Sequence, residues 1–264
     1  GRAQADPGVI NHVSGFRPSP RAVPILPARL NTLLGTVATL SLMVVASVSP
    51  SYAQAPPPLG TVAPFAVLAG STVTNTGPTT LTGTASLPGN VGVSPGNTFT
   101  GAGSVTFATG GTTHLNDAIA IQAQIDLINA YNNLAGRPTS VNLTGQNLGG
   151  LVLVPGVYNF SSSAQLTGAL TLNGVGNPNS VFIFNIGSTL TTASASVINL
   201  INGAQGGHVF WRVGSSATLG TATSFTGDIL ALTSITLDTS AKITCGAAWA
   251  HNAAVTLDTN TISL

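Results

Sequence analysis

A near-repeat of six residues close to the carboxyl end constrains the fold more than any other feature of this sequence. Residues 216–221 (SATLGT), 234–239 (SITLDT) and 254–259 (AVTLDT) align without gaps, and their leucines lie 18 and 20 residues apart. A period of this length is that of one coil of a solenoid, in which each coil buries its apolar face only by packing on its neighbours. The repeat therefore predicts an all-β solenoid.

Alternation along these strands predicts columns of small outward side chains. Neighbouring residues of a strand point to opposite faces, so inward leucines place the residues beside them outward. Stacked coils would space the members of a column about 4.7–4.9 Å apart, and residues two positions apart on one strand about 6.6–6.8 Å apart. Threonine is also common in strands for packing reasons alone, so such a ladder can be purely structural. The predicted columns are Thr218, Thr236 and Thr256; Ser216, Ser234 and Ala254; and, beyond a bend, Thr221, Thr239 and Thr259.

Charged residues are scarce for a chain of this length. Of 264 residues, 7 are Lys or Arg and 6 are acidic, every acid being an aspartate, while 43% are hydrophobic. This balance predicts a folded chain, because disorder needs high charge and little apolar matter. It argues against a nucleic-acid partner, which requires clustered Lys and Arg, and it excludes an enzyme built on paired glutamates. A flat grid with so little charge is expected to be a contact surface.

One segment, at about residues 115–135, has the rhythm of a helix. Apolar residues fall near every fourth position, Asn116 or Asp117 is suited to cap the start, and Gly136 followed by Pro138 stops the helix. We expect Gly136 to adopt the left-handed conformation that ends many helices. The predicted inward stripe is Leu115, Ile119, Ala123, Leu127, Tyr131 and Leu134, and the predicted polar side is Gln122, Asp126 and Asn129 or Asn133.

Residues 21–53 resemble a secretory signal. Arg21 and Arg29 precede an apolar stretch over 33–48, and the small residues of 50–55 (PSYAQA) follow it. A membrane anchor is the rival interpretation, because the apolar stretch approaches the length that spans a bilayer. Its Thr, Ser and Gly content favours a cleaved signal, with cleavage before Gln54 preferred to cleavage before Pro56.

The rest of the chain divides into three parts. Residues 1–20 form an upstream extension that is expected to be disordered, 54–58 form a short proline-rich linker, and 59–264 form the predicted domain. Without residues 1–53 the chain keeps three basic residues and five aspartates, a formal net charge of −2. We expect a secreted monomer that has no membrane association once the signal is removed.

Patterns typical of catalysis or metal binding are lacking. The three histidines after residue 53 have no partner at the spacing of helical metal ligands, and neither a nucleophile elbow nor a phosphate loop of the required spacing occurs. Asp238 and Asp258 align in adjacent coils, where the turn preference of aspartate explains them. Cys245 has no partner for an intrachain disulfide, and the habit of free cysteines predicts burial against the core. No cofactor, metal or enzyme activity is expected.

Seven short segments form a set that is specific in combination. They are 59–77 (LGTVAPFAVLAGSTVTNTG), 92–96 (GVSPG), 116–118 (NDA), 148–150 (LGG), 155–158 (PGVY), 181–184 (VFIF) and 230–237 (LALTSITL). Through them, nearly all of residues 59–264 resembles the microbial ice-binding proteins with a discontinuous solenoid fold, found in cold-living bacteria, fungi, algae and diatoms.

The resemblance implies a right-handed, three-faced β-solenoid whose N-terminal strand returns among the C-terminal coils. It also implies an α-helix packed alongside and one flat face that binds ice. Similar members use small and hydroxyl residues of the first strand and the last coils for that face. Sequence alone leaves the choice of face open, and residues 230–233 with 250–252 are an alternative. The first-strand residues implied here are Thr72, Thr74, Thr76 and Thr79.

The expected function is adsorption to ice, with thermal hysteresis and inhibition of ice recrystallisation. Threonine methyl groups would hold ordered water while the hydroxyl groups anchor it, and a crystal of water is a partner whose repeat can match a repeating surface. The competing interpretation is a non-catalytic cell-surface or adhesion module that uses the same face for a protein, a glycan or the cell envelope.

Overall fold

Short strands joined by tight turns make up most of the molecule. A computed structural model describes residues 54–264, which form 24 strands, one α-helix and three 3-10 turns. The 3-10 turns span Gly60–Val62, Ala102–Ser104 and Gly206–His208. In chain order the elements are β1 Phe65–Ala69, β2 Thr72–Thr76, β3 Thr79–Thr82, β4 Asn90–Val93, β5 Thr98–Thr100, β6 Val105–Phe107, β7 Thr113–Leu115, α1 Ala118–Ala135, β8 Val141–Asn142, β9 Val152–Leu153, β10 Gly156–Phe160, β11 Ala164–Leu166, β12 Ala169–Asn173, β13 Phe182–Ile186, β14 Leu190–Thr192, β15 Val197–Ile201, β16 Val209–Val213, β17 Ala217–Leu219, β18 Ser224–Thr226, β19 Asp228–Ala231, β20 Ile235–Leu237, β21 Lys242–Thr244, β22 Ala248–Ala250, β23 Val255–Asp258 and β24 Thr261–Ser263.

The strands form three parallel sheets, which are the three sides of a solenoid. Sheet A has nine strands in the order β7-β4-β1-β22-β19-β16-β13-β10-β8. Sheet B has seven in the order β11-β14-β17-β20-β23-β2-β5, and sheet C has eight in the order β6-β3-β24-β21-β18-β15-β12-β9. Each full coil contributes one strand to each sheet. The prediction of a three-faced β-solenoid with a helix is confirmed.

The order of the coils is discontinuous along the chain. Strands β1, β2 and β3 insert next to β22, β23 and β24, so the first coil lies directly on the last one. Val67 pairs with Ala248 in sheet A, and Thr74 pairs with Thr256 in sheet B. The return of the N-terminal strand among the C-terminal coils, which the family resemblance implied, is therefore present.

Inward side chains from all three sheets fill one continuous core. The repeat leucines Leu219, Leu237 and Leu257 are fully buried, as the alternation predicted. Aromatic rings stack along the solenoid axis, and the rings of Phe184 and Trp211 lie 3.8 Å apart between centroids at an interplanar angle of 7°. Stacking like side chains in successive coils holds those coils in register.

The corner between sheets B and C repeats one unusual backbone conformation. Four non-glycine residues adopt positive φ angles of 56–62° where successive coils leave sheet B, and the left-handed region bends the chain sharply there. Each donates its backbone N–H to the next coil, as in Ala222 to the carbonyl of Thr239 at 3.0 Å. The bend falls three residues after the aligned Thr192, Leu219 and Leu237 and two residues after Leu257, so the coils turn at nearly the same place. The four residues are Ala195, Ala222, Ser240 and Thr259.

The helix starts at Ala118 rather than at about residue 115, ends at Ala135 as predicted, and is capped by Asp117, one of the two predicted residues. It begins at Ala118, where the carboxylate of Asp117 accepts a hydrogen bond from the backbone N–H of Ala120 at 2.8 Å. The left-handed conformation predicted for Gly136 is wrong, because its φ is −80° and its N–H bonds to Asn132 within the helical spiral. Within residues 54–264 no helix is both long and apolar enough to cross a membrane.

The inward face of the helix is also shifted from the predicted stripe. Leu115 and Ile119 are 41% and 51% exposed, whereas Ala123, Leu127 and Leu134 are buried. The buried face of the helix also includes a polar residue. Gln124 is buried there, donating to the carbonyl of Ala250 at 3.2 Å and contacting His251 Nδ1 through its amide oxygen at 2.9 Å.

Residues 54–62, which we call the strap, lie along the helix and include the predicted proline-rich linker. Two contacts hold the strap: Gln54 Oε1 accepts from Arg137 Nη1 at 3.0 Å, and Asp126 accepts from both the N–H and the hydroxyl of Thr61 at 2.7 Å. Between them, Pro57 is buried. Partial burial opposes ionisation of Asp126, but these bonds and one from Gln122 outweigh it and lower the pKa of the carboxyl.

Cys245 lies on the surface, so the prediction of a buried cysteine is wrong. It occupies a corner at φ 48°, and a side chain at the left-handed corner of a coil points away from the core. Its Cβ lies close to Gly206, where an added Cβ would come within 2.5 Å of it. Packing at this corner therefore depends on a glycine in the neighbouring coil.

Gly60→Ala is expected to detach the strap. Gly60 has φ +54°, and an added Cβ would lie 2.4 Å from Asp126 Oδ2, the atom that holds Thr61. Strain and loss of these charged hydrogen bonds should together cost about 2 kcal/mol in the free energy of unfolding, measured by urea denaturation. Gly103→Ala is the control, since an added Cβ there meets no atom within 4 Å. Equal stability of the two variants would contradict this role for the strap.

Asp228 is expected to make stability fall as pH rises. It lies on the outer side of sheet A among buried apolar residues, and burial raises its pKa to about 8, opposed by a hydrogen bond from the Ala247 backbone. Above the ordinary value of 3.8 the unfolded chain loses this proton while the folded chain keeps it, so folding weakens from about pH 4 to about pH 8. Melting temperatures across that range should show this decline, and Asp228→Asn should reduce it. Asp238→Asn, on the outer surface, should leave it unchanged.

Candidate functional site

The outer face of sheet A is covered. The helix and the strap pack on it through a second apolar cluster that includes Phe65, Ile183 and Phe210. Leu230 and Trp249, on the strands proposed above as an alternative contact surface, are at most 1% exposed within this cluster. The strand parts of that alternative, within residues 230–233 and 250–252, are therefore buried and cannot form the contact surface, whereas Thr233 and Asn252 beyond them are exposed.

The outer face of sheet C is exposed but irregular. Lys242 occupies the same outward row as Ser224 and Thr261, so a charged side chain interrupts the row. Toward the other end of this sheet Val152 and Ile201 are 63% and 40% exposed. A repeating uncharged surface does not extend along sheet C.

The outer face of sheet B carries an uninterrupted row of threonines. Register places one threonine on each of six neighbouring strands, with Gln165 continuing the row on the seventh. All of these residues are exposed or half-buried. We call this the central row. Its threonines, in spatial order, are Thr191, Thr218, Thr236, Thr256, Thr74 and Thr100.

A second row, the flanking row, runs beside the first at the position two residues earlier on each strand. Ser216 and Ser234 are hydrogen bonded through their hydroxyl groups at 2.8 Å, and Thr189 donates to Ser163 at 2.8 Å. These distances show that the hydroxyl groups of successive coils lie side by side. The flanking row is Ser163, Thr189, Ser216, Ser234, Ala254, Thr72 and Thr98.

The predicted third column lies partly off the face. Its strand position is taken by Asp238, Asp258 and Thr76, of which Thr76 pairs with Asp258 and is exposed. Thr239 and Thr259 stand one residue further on, at the corner, and both direct their hydroxyl groups to the Asp258 carboxylate. Thr221 holds the equivalent exposed corner position of the preceding coil.

Thr79 does not belong to the surface, so its inclusion among the predicted contact residues is wrong. It begins β3 in sheet C and is only 1% exposed. Its hydroxyl donates to Asn75 Oδ1 at 2.7 Å and accepts from the backbone N–H of Asn260 at 3.0 Å. The Gly77-Pro78 corner between Thr76 and Thr79 turns the chain, which reverses the direction of the second threonine.

A shallow groove of about 350 Å³ runs between the central row and the corner. The central row lines it with Thr236 and Thr256, and the corner with Thr239. Asp238 and Asp258 also line the groove, on the side of the corner. The negative charge of this face therefore lies along one edge. Among residues 54–264 no group of three or more His, Cys, Asp or Glu side chains is placed to hold a metal ion.

The sequence patterns did not predict several residues of the central and flanking rows. Thr98 and Thr100 flank Phe99 in β5, a three-residue strand too short to show a repeat. Residues 163–166 (SAQL) match 216–219 (SATL) except for one position, but the coils between them are longer than 18–20 residues. A search that allowed variable coil lengths would have found this match.

Comparison with known proteins shows the family. A family model described as ice-binding-like matches residues 67–263. The chain belongs to the ice-binding-like family. An ice-binding protein of Nostoc sp. (strain HG1) is 55% identical over 205 residues, covering 78% of this chain and 73% of the relative. An ice-binding protein of Flavobacterium frigoris is 33% identical over 221 residues, covering 78% and 75%.

Solved structures of ice-binding proteins share the fold of the protein described above. An ice-binding protein from an Antarctic biological consortium superposes with a TM-score of 0.74 at 43% identity, over 81% of this chain and 93% of that one. The ice-binding protein of the Antarctic ascomycete Antarctomyces psychrotrophicus gives 0.72 at 38% identity, over 78% and 97%. The fold is therefore that of ice-binding proteins from bacteria and fungi.

Thr79 and Thr218 should respond differently to loss of the hydroxyl group. Thr79→Val removes the hydrogen bonds to Asn75 Oδ1 and from the Asn260 N–H in a buried site, which should cost about 2 kcal/mol in the free energy of unfolding. Thr218→Val changes a solvent-facing position of the central row and should alter stability by less than about 0.5 kcal/mol. Urea denaturation compares the two, and a Thr79→Val variant as stable as the parent would contradict the buried assignment.

Proposed function

We propose that this protein adsorbs to ice through the outer face of sheet B. The observation that carries the proposal is the central row, in which six threonines stand in register on neighbouring strands with no charged residue among them. The names of its relatives, which are ice-binding proteins at 55% and 33% identity, support the same partner.

The geometry of two parallel rows suits a crystalline partner. Strands of a sheet repeat at about 4.7–4.9 Å, and alternate residues of a strand at about 6.6–6.8 Å, so the hydroxyl groups form a two-dimensional lattice. Methyl groups between them order water without binding it, and hydroxyl groups fix that water in place. Because the side chains are short and the strands are braced on both sides, little conformational entropy is lost at contact.

Adsorption alone accounts for the effects on freezing. Molecules held on the crystal pin its surface, growth bulges outward between them, and a curved surface melts more readily than a flat one. Freezing then begins below the melting point, which is thermal hysteresis, and small crystals stop exchanging water with large ones. The protein acts without catalysis or a cofactor.

We infer that the protein works outside the cell as a monomer. The signal pattern of residues 21–53 supports export, and cleavage before Gln54 would leave three basic residues and five aspartates in the remaining chain. With so few basic residues, binding to nucleic acid or to an anionic membrane surface would have almost no electrostatic support. The predicted contact residues retained in the site are Thr72, Thr74, Thr76, Ser216, Thr218, Ser234, Thr236 and Thr256, with Thr221, Thr239 and Thr259 along its edge.

Bulky side chains on the central row should abolish adsorption. In the variant Thr236→Tyr with Thr256→Tyr, two neighbouring rings would hold the crystal away from the rest of the lattice. Thermal hysteresis, measured at equal protein concentration, should fall to nearly the value of buffer alone. The matched control is Thr80→Tyr with Thr261→Tyr, which are register neighbours on sheet C and should leave hysteresis unchanged.

The same experiment separates ice from other partners. Equal loss in both double variants would assign adsorption to no particular face, and retention in both would remove sheet B from the proposal. A parent protein that shows neither hysteresis nor faceting of a single ice crystal, but binds cells or glycans, would instead support an adhesion module. Circular dichroism melting of each variant verifies that it is folded.

A further inference from the structure

The strap holds the side chain of Gln54 at a defined place. Its amide oxygen Oε1 accepts a hydrogen bond from Arg137 Nη1 at 3.0 Å, and Gln54 is half-buried. Arg137 is itself fixed, because its Nε and Nη2 donate to Asn133 Oδ1 at 3.2 and 2.7 Å. Because all three guanidinium nitrogens of Arg137 donate hydrogen bonds, its side chain has little conformational freedom. Gln54 Oε1 therefore has a donor at a fixed position.

The same residue is the first one after the preferred cleavage point of the signal. Residues 51–53 (SYA) present small side chains at the positions that signal cleavage requires, and cleavage there gives Gln54 a free α-amino group. Downstream, the buried Pro57 and the bonds between Thr61 and Asp126 keep the strap attached to the helix. The new terminus would therefore remain beside Arg137.

We propose that Gln54 becomes an N-terminal pyroglutamate and that Arg137 promotes the cyclisation. The α-amino nitrogen of Gln54 attacks its own side-chain Cδ, the bond from nitrogen to Cδ forms, and the bond from Cδ to Nε2 breaks. The attacking nitrogen releases a proton, Nε2 gains one, and Nε2 leaves as ammonia. The step is an amide exchange within one residue, so it needs neither an oxidant nor a second substrate.

Arg137 assists this reaction in two ways. As the amine attacks, negative charge develops on Oε1, and the guanidinium donor already bonded to that oxygen stabilises it. Because Arg137 is itself fixed by Asn133, it also holds the side-chain amide of Gln54 in place for the attack. Oε1 remains in the product as the lactam oxygen, so the bond to Arg137 persists after cyclisation.

The modification would protect the protein outside the cell. A lactam offers no free α-amine to aminopeptidases, and its ring limits the conformations of the first residue. The anchored strap would then resist trimming from its exposed end. This inference does not depend on ice binding, because the strap lies on the outer side of sheet A and the proposed contact face is on sheet B.

The first test is the N-terminus of the secreted protein. The full chain with its signal is expressed in a secreting host, and the protein from the medium is examined by intact mass and by tandem mass spectrometry of its N-terminal peptide. We expect the mass of residues 54–264 less one molecule of ammonia, and no reaction in Edman sequencing. A start at another residue such as Pro56, or a Gln54 amine that stays free on prolonged incubation, would overturn the proposal.

The second test is the rate of cyclisation. Protein with a freshly exposed Gln54, made by removing an N-terminal tag, is followed by ammonia release and by loss of the free amine. Arg137→Ala should slow the reaction about tenfold relative to the parent, whereas Lys242→Ala, which removes a distant basic residue, should not. In concentrated urea the parent and Arg137→Ala should react at equal rates. Equal rates in the folded state would overturn the role of Arg137.

A further control separates this modification from ice binding. Gln54→Ala removes the reacting amide and should give a free N-terminus with unchanged thermal hysteresis. Its melting temperature, compared with that of the cyclised parent, measures what the anchored terminus contributes to stability. Loss of hysteresis in this variant would show that the strap influences the contact face, contrary to the independence argued above.

Discussion

Parallel register between successive coils is the constraint on which the rest of this structure depends. Because the same strand position recurs in each coil, any residue type that suits one coil is placed beside its counterpart in the next. Leu219, Leu237 and Leu257 stack inward and Thr218, Thr236 and Thr256 stack outward for the same reason. The left-handed corners repeat at matching positions and keep the bend in place. A core and a surface lattice thus arise from a single repeating unit.

The three sheets differ in how far their outer faces are exposed and regular. The helix and the strap cover sheet A, which places the buried carboxyl of Asp228 and the rings of Trp249 and Phe210 away from solvent. Charge and exposed aliphatic side chains break up sheet C at Lys242 and Ile201. Sheet B alone combines exposure, register and absence of charge along its central row. The negative charge that it does carry, at Asp238 and Asp258, lies at one margin.

Sequence patterns predicted the repeating strands of the solenoid. They did not predict the residues whose burial depends on contacts between distant parts of the chain. The period of the leucines was enough to place two outward rows, because these strands alternate regularly between inward and outward side chains. Thr79 was misplaced because the Gly77-Pro78 corner changes the face, and no propensity reports that reversal. Gln124 was overlooked as a buried residue because its partner, the Ala250 carbonyl, lies 126 positions away. Cys245 was expected inside from the general habit of free cysteines, but residue type is a weak guide to burial at a corner with positive φ.

The insertion of the first coil against the last has a consequence for biosynthesis. Thr74 and Thr256 are neighbours in the central row although one is made near the start of the domain and the other near its end, and Asn260 bonds to Thr79 across 181 positions. No nascent or truncated chain that lacks the final coil can assemble the row. The central row therefore comes into existence only when synthesis of the domain is complete, and no fragment of the chain can carry it.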